Sequence, residues 1–408
     1  MAIGDIIVGI DIGNSKVSTF VGEVNNFNQI ETICSTSAKC QAFQKGQIID
    51  EDELSMAIGR TMSEVEDIAG IHVNSAYTTI PGKYITIVQN SIVKDAKDKL
   101  TGITIKDVAS AIIQVRNVEI PEDKVLIDIV PDKFILDDGK AVDDPVGKFS
   151  NNFTLTAQVI LAEKDYIRKL TSIFKKCGLE IDGVVPISLA ERNLVLDANE
   201  FSDNVMILDI GAGNTEIGIF NGSTFIYTNS IGLGGDNITN DIAYVLEISN
   251  EEADKLKRQY GLALKSFIDN DNNIVLNTSR SQKNMTIKSS ELIEIIEARI
   301  EEVFTLVNKD VMAHGIKNNI NSVILTGEGI VNITKSDTAG RIILNKPVKF
   351  ASGRLMNTVK SMHRVSYALV RYIAARPYAK TVSSNISAKT EKHVIRNLFG
   401  KIRDFFYT

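Results

Sequence analysis

The sequence is poor in the residues that characterise several common classes of protein. It contains no tryptophan, only three cysteines and only four histidines in 408 residues. The cysteines lack a CxxC spacing and are odd in number, so we expect reduced buried thiols rather than a disulfide framework. The histidines are scattered along the chain without the spacing of metal ligands, which disfavours a zinc site.

Long hydrophobic runs and an excess of positive charge are also missing. No stretch approaches the ~20 consecutive apolar residues that span a bilayer, so we expect no transmembrane helix. The apolar run at the N-terminus follows no Lys or Arg and is bracketed by Asp5 and Asp11, which argues against a secretory signal. The net charge of −6 disfavours general nucleic-acid binding. A chain of this length is expected to fold into about two to four domains.

What the sequence does contain is an internal repeat. Residues 6–11 (IIVGID) form an apolar run that is followed by the turn IGNSK and a second apolar run at 17–21. The same order recurs at 205–209 (VMILD), IGAGNTE and 217–220, and each copy predicts a hairpin with Asp-x-Gly at its tip. A third predicted strand, 322–325, leads into TGEG. The repeat indicates two α/β domains of related design.

The intervals between these strands carry the 3.6-residue hydrophobic period of helices. The apolar positions are Leu54, Ala57, Ile58, Val65, Ile68 and Ala69 before Gly70; Ile167, Leu170, Phe174 and Cys177 before Gly178; and Leu292, Ile295, Ile296, Val303, Phe304 and Val307 in a helix over about 290–311. Between 83 and 162 the pattern changes to strands at 83–93 and 154–161 around a helix at 106–118, with a polar hairpin at 136–147. This segment predicts a small domain inserted into the first α/β domain.

Two facing hairpin tips of this kind suit a bound nucleotide. Backbone N–H groups in a tight turn form a concave nest for anions, and glycine lets the backbone approach closely. An Asp at the head of each turn suits a Mg²⁺ ion that keeps most of its water. Either turn alone would be read as an ordinary turn, but two copies with TGEG favour a nucleotide site. The predicted phosphate contacts are Gly13, Asn14, Ser15 and Lys16, and Gly211, Ala212, Gly213, Asn214 and Thr215, with Asp11 and Asp209 for Mg²⁺.

The DIGNSK, DIGAGNTE and TGEG elements resemble the two phosphate motifs and the adenosine motif of the actin superfamily. Within it the chain is most similar to the FtsA family of bacterial cell-division proteins, through GIDIGNSKV, IPGKYI, VPDKFILD…DPVG and GGDNITNDIA with KLKRQYGLA. The insert is the most discriminating part, since FtsA proteins lack the small upper subdomain of actin and carry a differently placed inserted domain. The resemblance implies an α/β, actin-like two-lobed ATPase fold with an inserted small α+β domain and a C-terminal amphipathic helix.

The resemblance also implies ATP and Mg²⁺ as cofactors and a division into segments. It adds Gly234, Gly235, Asp254, Lys257, Gly327, Glu328 and Gly329 to the nucleotide site. The first lobe is expected at 1–82, 163–198 and 356–380, and the inserted domain at 83–162. The second lobe is expected at 199–235 and 301–355, with its small subdomain at 236–300. A flexible linker at 381–392 and a membrane-targeting helix at 393–408 complete the chain.

Two residues depart from the pattern of related ATPases. Relatives that hydrolyse ATP well often carry Glu or Gln just before a Pro-x-Ala segment to orient the attacking water. Val185 occupies that position here and cannot hydrogen-bond a water, so we expect weak hydrolysis at most and no confident catalytic residue. Glu328 replaces a small residue, and because phosphates would repel its carboxylate, it is expected to face solvent or touch the ribose.

The C-terminal segment is strongly amphipathic. Its apolar positions cover an arc of about 140° on a helix, whereas its other side is polar and basic, which is typical of a helix lying in a membrane interface. A helix docked on the protein's own core is the alternative. The predicted membrane-contacting residues are Val394, Ile395, Leu398, Phe399, Ile402, Phe405 and Phe406, with the basic residues Arg396, Lys401 and Arg403.

By resemblance the chain is an ATP-binding actin homologue that polymerises and tethers FtsZ filaments to the cytoplasmic face of the membrane at the division septum. It would bind the C-terminal peptide of FtsZ at roughly 236–290, with Arg299 nearby, and an anionic membrane surface through its tail. Alternatives within the same fold are a pilus-assembly-type adaptor, a sugar kinase or exopolyphosphatase, and a chaperone-like relative. The tail disfavours the first two, and the chain has no room for a long chaperone substrate domain.

Overall fold

The computed structural model describes residues 4–27, 29–96, 102–276, 285–353 and 360–375. The strands within these ranges are, in chain order, β1 (Ile6–Ile12), β2 (Lys16–Val24), β3 (Ile30–Lys39), β4 (Phe43–Gln44), β5 (Gln47–Ile48), β6 (Ser75–Ile80), β7 (Ile85–Asp95), β8 (Lys124–Leu136), β9 (Ala141–Val142), β10 (Asn152–Glu163), β11 (Glu180–Pro186), β12 (Asn204–Ile210), β13 (Thr215–Asn221), β14 (Thr224–Ile231), β15 (Asn273–Leu276), β16 (Met285–Lys288), β17 (Ser322–Thr326) and β18 (Val348–Phe350).

The helices of the same ranges lie between these strands. They are α1 (Glu51–Ala69), α2 (Ile105–Val115), α3 (Lys164–Lys176), α4 (Ile187–Val195), α5 (Gly235–Leu246), α6 (Asn250–Tyr260), α7 (Ser289–Ala313), α8 (Ser336–Leu344) and α9 (Arg364–Ala375). The predicted linker at 381–392 and amphipathic helix at 393–408 lie outside the described residues.

Two five-stranded sheets share one topology. The first, in lobe I, runs in the order β11-β6-β1-β2-β3, and the second, in lobe II, in the order β18-β17-β12-β13-β14. In each, the central strand is antiparallel to its hairpin partner and parallel to the strand on its other side. The structure therefore confirms the two-lobed α/β fold that the internal repeat predicts.

The hydrophobic faces of the helices cover these sheets. In α1, Leu54, Ala57, Ile58 and Val65 are buried as their spacing predicts, but Ile68, in the last turn of the helix, is 63% exposed. The helix is capped at its N-terminus by Asp50, whose carboxylate accepts from N–H groups of the first turn, and at its C-terminus by a left-handed Gly70.

Helix α9 packs closely against the central strand of lobe I. A Cβ on Gly9 would lie only 2.9 Å from the carbonyl oxygen of Ser366, so glycine is needed for this approach. The buried residues Leu369 and Val370 fill the contact. This packing fixes the first residue of the helix, Arg364, beside the ends of the central strands.

The inserted domain forms a separate antiparallel sheet in the order β7-β10-β8-β9, covered by α2 and built around its own hydrophobic core. The sequence pattern missed the longest strand of this sheet, β8. Charged residues and Pro131 interrupt its hydrophobic alternation, and its pairing with β10 contains two register shifts. The predicted helix at 106–118 is also shorter in the structure, ending at Val115.

Candidate nucleotide site

Two hairpin turns of the same geometry lie at the equivalent ends of the two central strands. In the first, Gly13 N donates to Lys16 O at 3.0 Å. In the second, Gly211 N donates to Asn214 O at 2.9 Å. Because each turn follows the central strand of its sheet, the shared topology brings the aspartate before each turn to a corresponding position.

The tips of the two turns meet across the cleft between the lobes. A Cβ on Gly213 would lie 2.0 Å from Asn14 Nδ2, so a larger residue would displace the Asn14 side chain. Asn14 Oδ1 is buried and lacks a hydrogen-bond partner among the described residues. A buried acceptor without a partner costs free energy, and a ligand with a hydrogen-bond donor would satisfy it.

The TGEG loop after β17 lies directly on the second turn. Gly327 has a φ of +105°, and a Cβ there would lie 2.2 Å from Ile210 O. Gly329 N donates to that same oxygen at 2.9 Å, and a Cβ on Gly329 would lie 2.2 Å from Gly211 O. Both glycines are therefore required for close approach of two backbones.

Helix α5 begins against the same turn. Gly235 N donates to Gly211 O at 2.9 Å, and Asp236 N donates to Ala212 O at 2.7 Å. A Cβ on Gly234 would lie 2.6 Å from Gly211 O, and a Cβ on Gly235 would lie 2.6 Å from the Cα of Gly329, so neither position has room for a side chain. Three separate segments thus meet around residues 211 and 212.

Lys257 on α6 forms hydrogen bonds to the first turns of α5. Its Nζ donates to Gly235 O at 3.0 Å and to Thr239 Oγ1 at 2.6 Å, and it pairs with Asp254 Oδ1 at 2.9 Å. These three acceptors match the three N–H donors of a lysine. Asp254 also pairs with Arg258. That Lys257 and Asp254 belong to the nucleotide site stays a prediction.

An ion pair joins the first turn to the TGEG loop across the cleft. Lys16 Nζ lies 2.7 Å from Glu328 Oε2, and Ser361 Oγ donates to Glu328 Oε1 at 2.7 Å. The carboxylate therefore faces Lys16 and Ser361 while it stays 39% exposed, whereas the sequence led us to expect that it faces solvent or touches the ribose. Lys16 and Ser361 lie on the lobe I side, so Glu328 connects the lobes.

A second ion-pair cluster lies deeper in the cleft. Arg364 Nη2 donates to Asp209 Oδ1 at 2.8 Å, and its Nε donates to Glu191 Oε1 at 2.9 Å. Arg364 and Glu191 belong to helices of lobe I, whereas Asp209 ends the central strand of lobe II. Burial, reinforced by the charge of Asp209, raises the pKa of Glu191 to about 8, although Arg364 opposes this shift.

The acidic residues at the base of the cleft are poorly solvated. Burial raises the pKa of Asp11 to about 6, while a hydrogen bond from Thr79 Oγ1 at 2.8 Å opposes the rise. Burial raises the pKa of Glu216 to about 7 even though it accepts from Gly82 N, Ser230 Oγ and Asn214 Nδ2. A bound cation would stabilise such carboxylates in their charged form.

The turns line a cleft that is open to solvent and has a volume of about 90 Å³. Ten predicted residues line it: Asp11, Gly13, Asn14, Ser15, Lys16, Asp209, Gly211, Ala212, Asn214 and Glu328. The other predicted residues, in the part of the chain that the structure describes, belong to the supporting loops and helices: Gly213, Thr215, Gly234, Gly235, Asp254, Lys257, Gly327 and Gly329.

Sequence reasoning missed several residues of the lining. They are Ile12, Phe43, Ile187, Glu216, Ser361, Met362, Arg364 and Val365. Most lie outside the three turn motifs, and no local pattern points to them. Val185 is buried in β11, where it pairs with Thr79, and the next residue but one, Ile187, presents a hydrocarbon side chain to the cleft.

The described ranges contain neither a cluster of metal ligands nor a helix that could cross a bilayer. No three His, Cys, Asp or Glu residues converge there as metal ligands. No helix in those ranges is long and apolar enough to cross a bilayer. The predicted membrane-contacting residues between 394 and 406 lie outside the described residues.

Two family models match the chain. Residues 206–371 match the model described as cell division protein FtsA, and residues 82–161 match the model of the SHS2 domain inserted in FtsA. The cell division protein FtsA of Bacillus subtilis is 26% identical over 373 residues, which cover 90% of this chain and 83% of that protein. The FtsA of Pseudomonas aeruginosa is 27% identical over 338 residues, or 81% of each chain.

Solved structures with the same fold include actin-like proteins. The PilM–PilN type IV pilus biogenesis complex matches with a TM-score of 0.57 at 14% identity, over 91% of this chain and 99% of that one. MreB5 of Spiroplasma citri bound to ADP matches with a TM-score of 0.51 at 15% identity, over 94% and 99%. At these identities the likeness shows the actin-like fold alone.

Proposed function

The chain belongs to the FtsA family of cell division proteins, and we propose that it is an ATP-binding, polymer-forming adaptor that anchors FtsZ filaments to the cytoplasmic face of the membrane at the division septum. The observation that carries this proposal is the cleft, in which three glycine-containing turns converge between two lobes that have the same topology. The inserted domain, which matches a model named for FtsA, favours this family over other members of the fold.

The residues of the cleft fit ATP. The glycines at 213, 327 and 329 leave no space for a Cβ because the turns pack closely on one another. Backbone N–H groups at the tips of the two hairpin turns, together with Lys16, would hold the phosphates. The buried Asn14 Oδ1 could accept a hydrogen bond from a nucleotide hydroxyl or from water bound with the nucleotide. Lys16 must exchange its bond to Glu328 for one to phosphate.

Asp11 fits a Mg²⁺ ion held through water. Its carboxylate is partly buried, and burial raises its pKa, so a nearby cation would offset the cost of its charge. Asp209 fits the same role less well because one of its oxygens already accepts from Arg364. When bound, Mg²⁺ would neutralise phosphate charge, while Asp11 would orient the water molecules around it.

We propose that nucleotide acts mainly as a structural ligand and assembly switch. Val185 is buried and Ile187 lines the cleft with a hydrocarbon side chain, so neither can orient water as efficient ATPases require. Glu191 in the same segment already accepts a hydrogen bond from Arg364. ATP would bridge the turns of both lobes and so favour one closed arrangement. The protein is then a weak ATPase at most.

The membrane contact is proposed for the C-terminal segment. Its sequence places seven apolar residues on one face and Arg396, Lys401 and Arg403 beside them. Each basic residue near an anionic leaflet contributes on the order of 1 kcal/mol, and a single short helix of this kind binds weakly. Polymerisation would supply many such helices on one filament and thus strengthen attachment by avidity.

The FtsZ contact is proposed for the small subdomain of lobe II, at about 236–290, with Arg299 on the adjoining helix. Arg299 pairs with Asp241 through two hydrogen bonds, at 2.6 and 2.9 Å, and also with Glu302. This network ties α7 to α5 and fixes the guanidinium at the edge of the subdomain. A peptide carrying carboxylates would compete with Asp241 and Glu302 for it.

Cosedimentation with anionic liposomes tests the proposal directly. The full chain should pellet with liposomes more strongly with ATP than without it, and deletion of 393–408 should release it. A variant with Phe399, Phe405 and Phe406 changed to Ser should also be released, while Asn397→Ser, on the polar face, should bind normally. Binding that survives the deletion would refute the membrane role.

A pulldown with a peptide from the C-terminus of FtsZ distinguishes this function from that of a pilus-assembly adaptor. The full chain should bind the peptide, and Arg299→Ala should weaken binding at least several-fold without changing the melting temperature by more than a few degrees. Glu294→Ala, on the same helix, is the control. No binding to the peptide by the intact protein would favour the pilus alternative.

A further inference from the structure

Arg364 occupies an unusual position in the cleft. Its side chain is only 7% exposed, yet it belongs to the lining of the cleft rather than to the hydrophobic core. It follows a stretch of the chain with none of the three turn motifs and is fixed there by the close packing of α9 on β1. The turn motifs therefore do not account for this guanidinium.

The guanidinium of Arg364 donates hydrogen bonds to acceptors on two sides and has further N–H donors besides these. A guanidinium carries five N–H donors. One donates to Glu191 Oε1 and one to Asp209 Oδ1, so the planar group is fixed by an acceptor from each lobe. Because the planar guanidinium is already fixed, less entropy is lost when its remaining N–H donors bind a phosphate or carboxylate.

The side chains that line the cleft carry an excess of negative charge, which favours a cation beside Asp209. Four acidic side chains line it, Asp11, Asp209, Glu216 and Glu328, against two basic ones, Lys16 and Arg364. Lys16 pairs with Glu328 on the other side of the cleft. A nucleotide adds several negative charges, and the guanidinium lies next to Asp209, where a second positive ion would be repelled.

We infer that Arg364, positioned by Glu191, is a phosphate-binding residue of this cleft and supplies beside Asp209 the positive charge that a divalent cation would otherwise supply. This inference rests on the proposed binding of nucleotide. It assigns Asp11 as the carboxylate that remains for a hydrated cation, and it makes this chain less dependent on Mg²⁺ for nucleotide binding than it would be without Arg364.

The test is the dissociation constant of ATP, measured by titration calorimetry with Mg²⁺ and with EDTA. The variant is E191Q/R364M, in which the ionisable groups of Glu191 and Arg364 are removed together so that Glu191 is not left buried without its partner, while Asp209 loses its bond from Arg364. Arg364→Lys retains the positive charge but removes the planar guanidinium group with its paired N–H donors. The control is Arg341→Met, an exposed arginine on α8 that pairs with Asp337. Melting temperatures without nucleotide report folding.

For E191Q/R364M, we expect the ratio of the dissociation constant in EDTA to that in Mg²⁺ to rise at least tenfold above wild type, because Mg²⁺ then replaces the lost charge. Arg364→Lys should stay within about tenfold of wild type in EDTA, and Arg341→Met should match wild type. A merely structural role would weaken binding equally with and without Mg²⁺.

Three results would overturn the inference. They are an unchanged ratio in E191Q/R364M, a loss in EDTA for Arg364→Lys as large as that of the double variant, and wild-type affinity in both variants. Should E191Q/R364M melt below the assay temperature, Arg364→Lys decides alone, and a loss of affinity in EDTA greater than about tenfold overturns the inference. If the wild-type protein binds no ATP in either buffer, the proposed function itself fails, and the inference fails with it.

Discussion

Changing Glu328 to Gln should make this protein bind nucleotide more tightly. Glu328 accepts from Lys16 at 2.7 Å and from Ser361 at 2.7 Å across the cleft, so a phosphate that approaches Lys16 competes with this carboxylate. Glutamine keeps the size and an acceptor oxygen but removes the charge. Lys16 is then free to pair with phosphate, and the repulsion between Glu328 and the phosphates disappears.

The magnitude follows from the exposure of the pair. The side chains of Lys16 and Glu328 are 23% and 39% exposed, so solvent screens their interaction, and exposed pairs contribute about 0.2–1 kcal/mol. Removing the repulsion between one charge and a phosphate contributes on the order of 1 kcal/mol more at a separation of ~4 Å in water. We therefore expect a gain of about 1–2 kcal/mol, which is about 5- to 30-fold in affinity.

Titration calorimetry with ATP at two salt concentrations is the assay. The gain from Glu328→Gln should shrink at high salt because it is electrostatic. Glu294→Gln is the matched control, since Glu294 also pairs with a lysine, Lys265, at 2.6 Å but on the surface of lobe II. It should leave affinity unchanged.

Weaker binding by Glu328→Gln would refute this reasoning. That result would mean that the carboxylate contacts the nucleotide favourably, for example by accepting from a ribose hydroxyl. An equal gain in Glu294→Gln would show that net charge alone, rather than competition for Lys16, sets the affinity.

Three further predictions concern packing, pH and the tail. Gly329→Ala should destabilise the protein by about 1–3 kcal/mol and abolish nucleotide binding, because its Cβ would lie 2.2 Å from a backbone oxygen. Thermal melting measures the loss of stability. The control is Gly59→Ala, in open space on α1, which should be neutral or stabilise the protein by up to about 1 kcal/mol. Burial raises the pKa of Glu216 from 4.5 to about 7, so its contribution to the free energy of unfolding is full below pH 4.5 and lost as pH rises through about 7. Glu216→Gln should flatten that part of the pH profile in urea unfolding, and an unchanged slope contradicts the assignment. Removing 393–408 should leave ATP affinity unchanged while abolishing liposome binding; a loss of ATP affinity would indicate a tail docked on the core.

The sequence was sufficient for features that depend on local pattern. Each Asp-x-Gly turn is followed and preceded by apolar β-branched residues, and that spacing alone predicts a hairpin. The recurrence of the pattern in the second half predicts the duplicated sheet topology, which the structure confirms. The helical period correctly predicts the buried positions of α1 as far as Val65.

The local sequence pattern did not predict a strand where pairing with a neighbouring strand stabilises a segment that lacks regular hydrophobic alternation. Strand β8 contains Asp128, Pro131 and Asp132 and does not alternate cleanly, yet its pairing with β10 extends along most of its length through two register shifts. Ile68 fits the helical period but is 63% exposed in the last turn of α1. In both cases a tertiary partner, or its absence, decided the outcome.

The sequence by itself determined that two Asp-x-Gly hairpin turns and a glycine loop exist, because each is specified by a few consecutive residues with particular backbone requirements. Only the tertiary structure decided what surrounds them. Arg364 reaches Asp209 and Glu191 from 155 and 173 residues away, and Lys16 reaches Glu328 from 312 residues away. An ion pair requires only opposite charge and proximity, so it leaves no periodicity or spacing in the sequence, and the packing of α9 on β1 and of lobe on lobe is what brings these charges together.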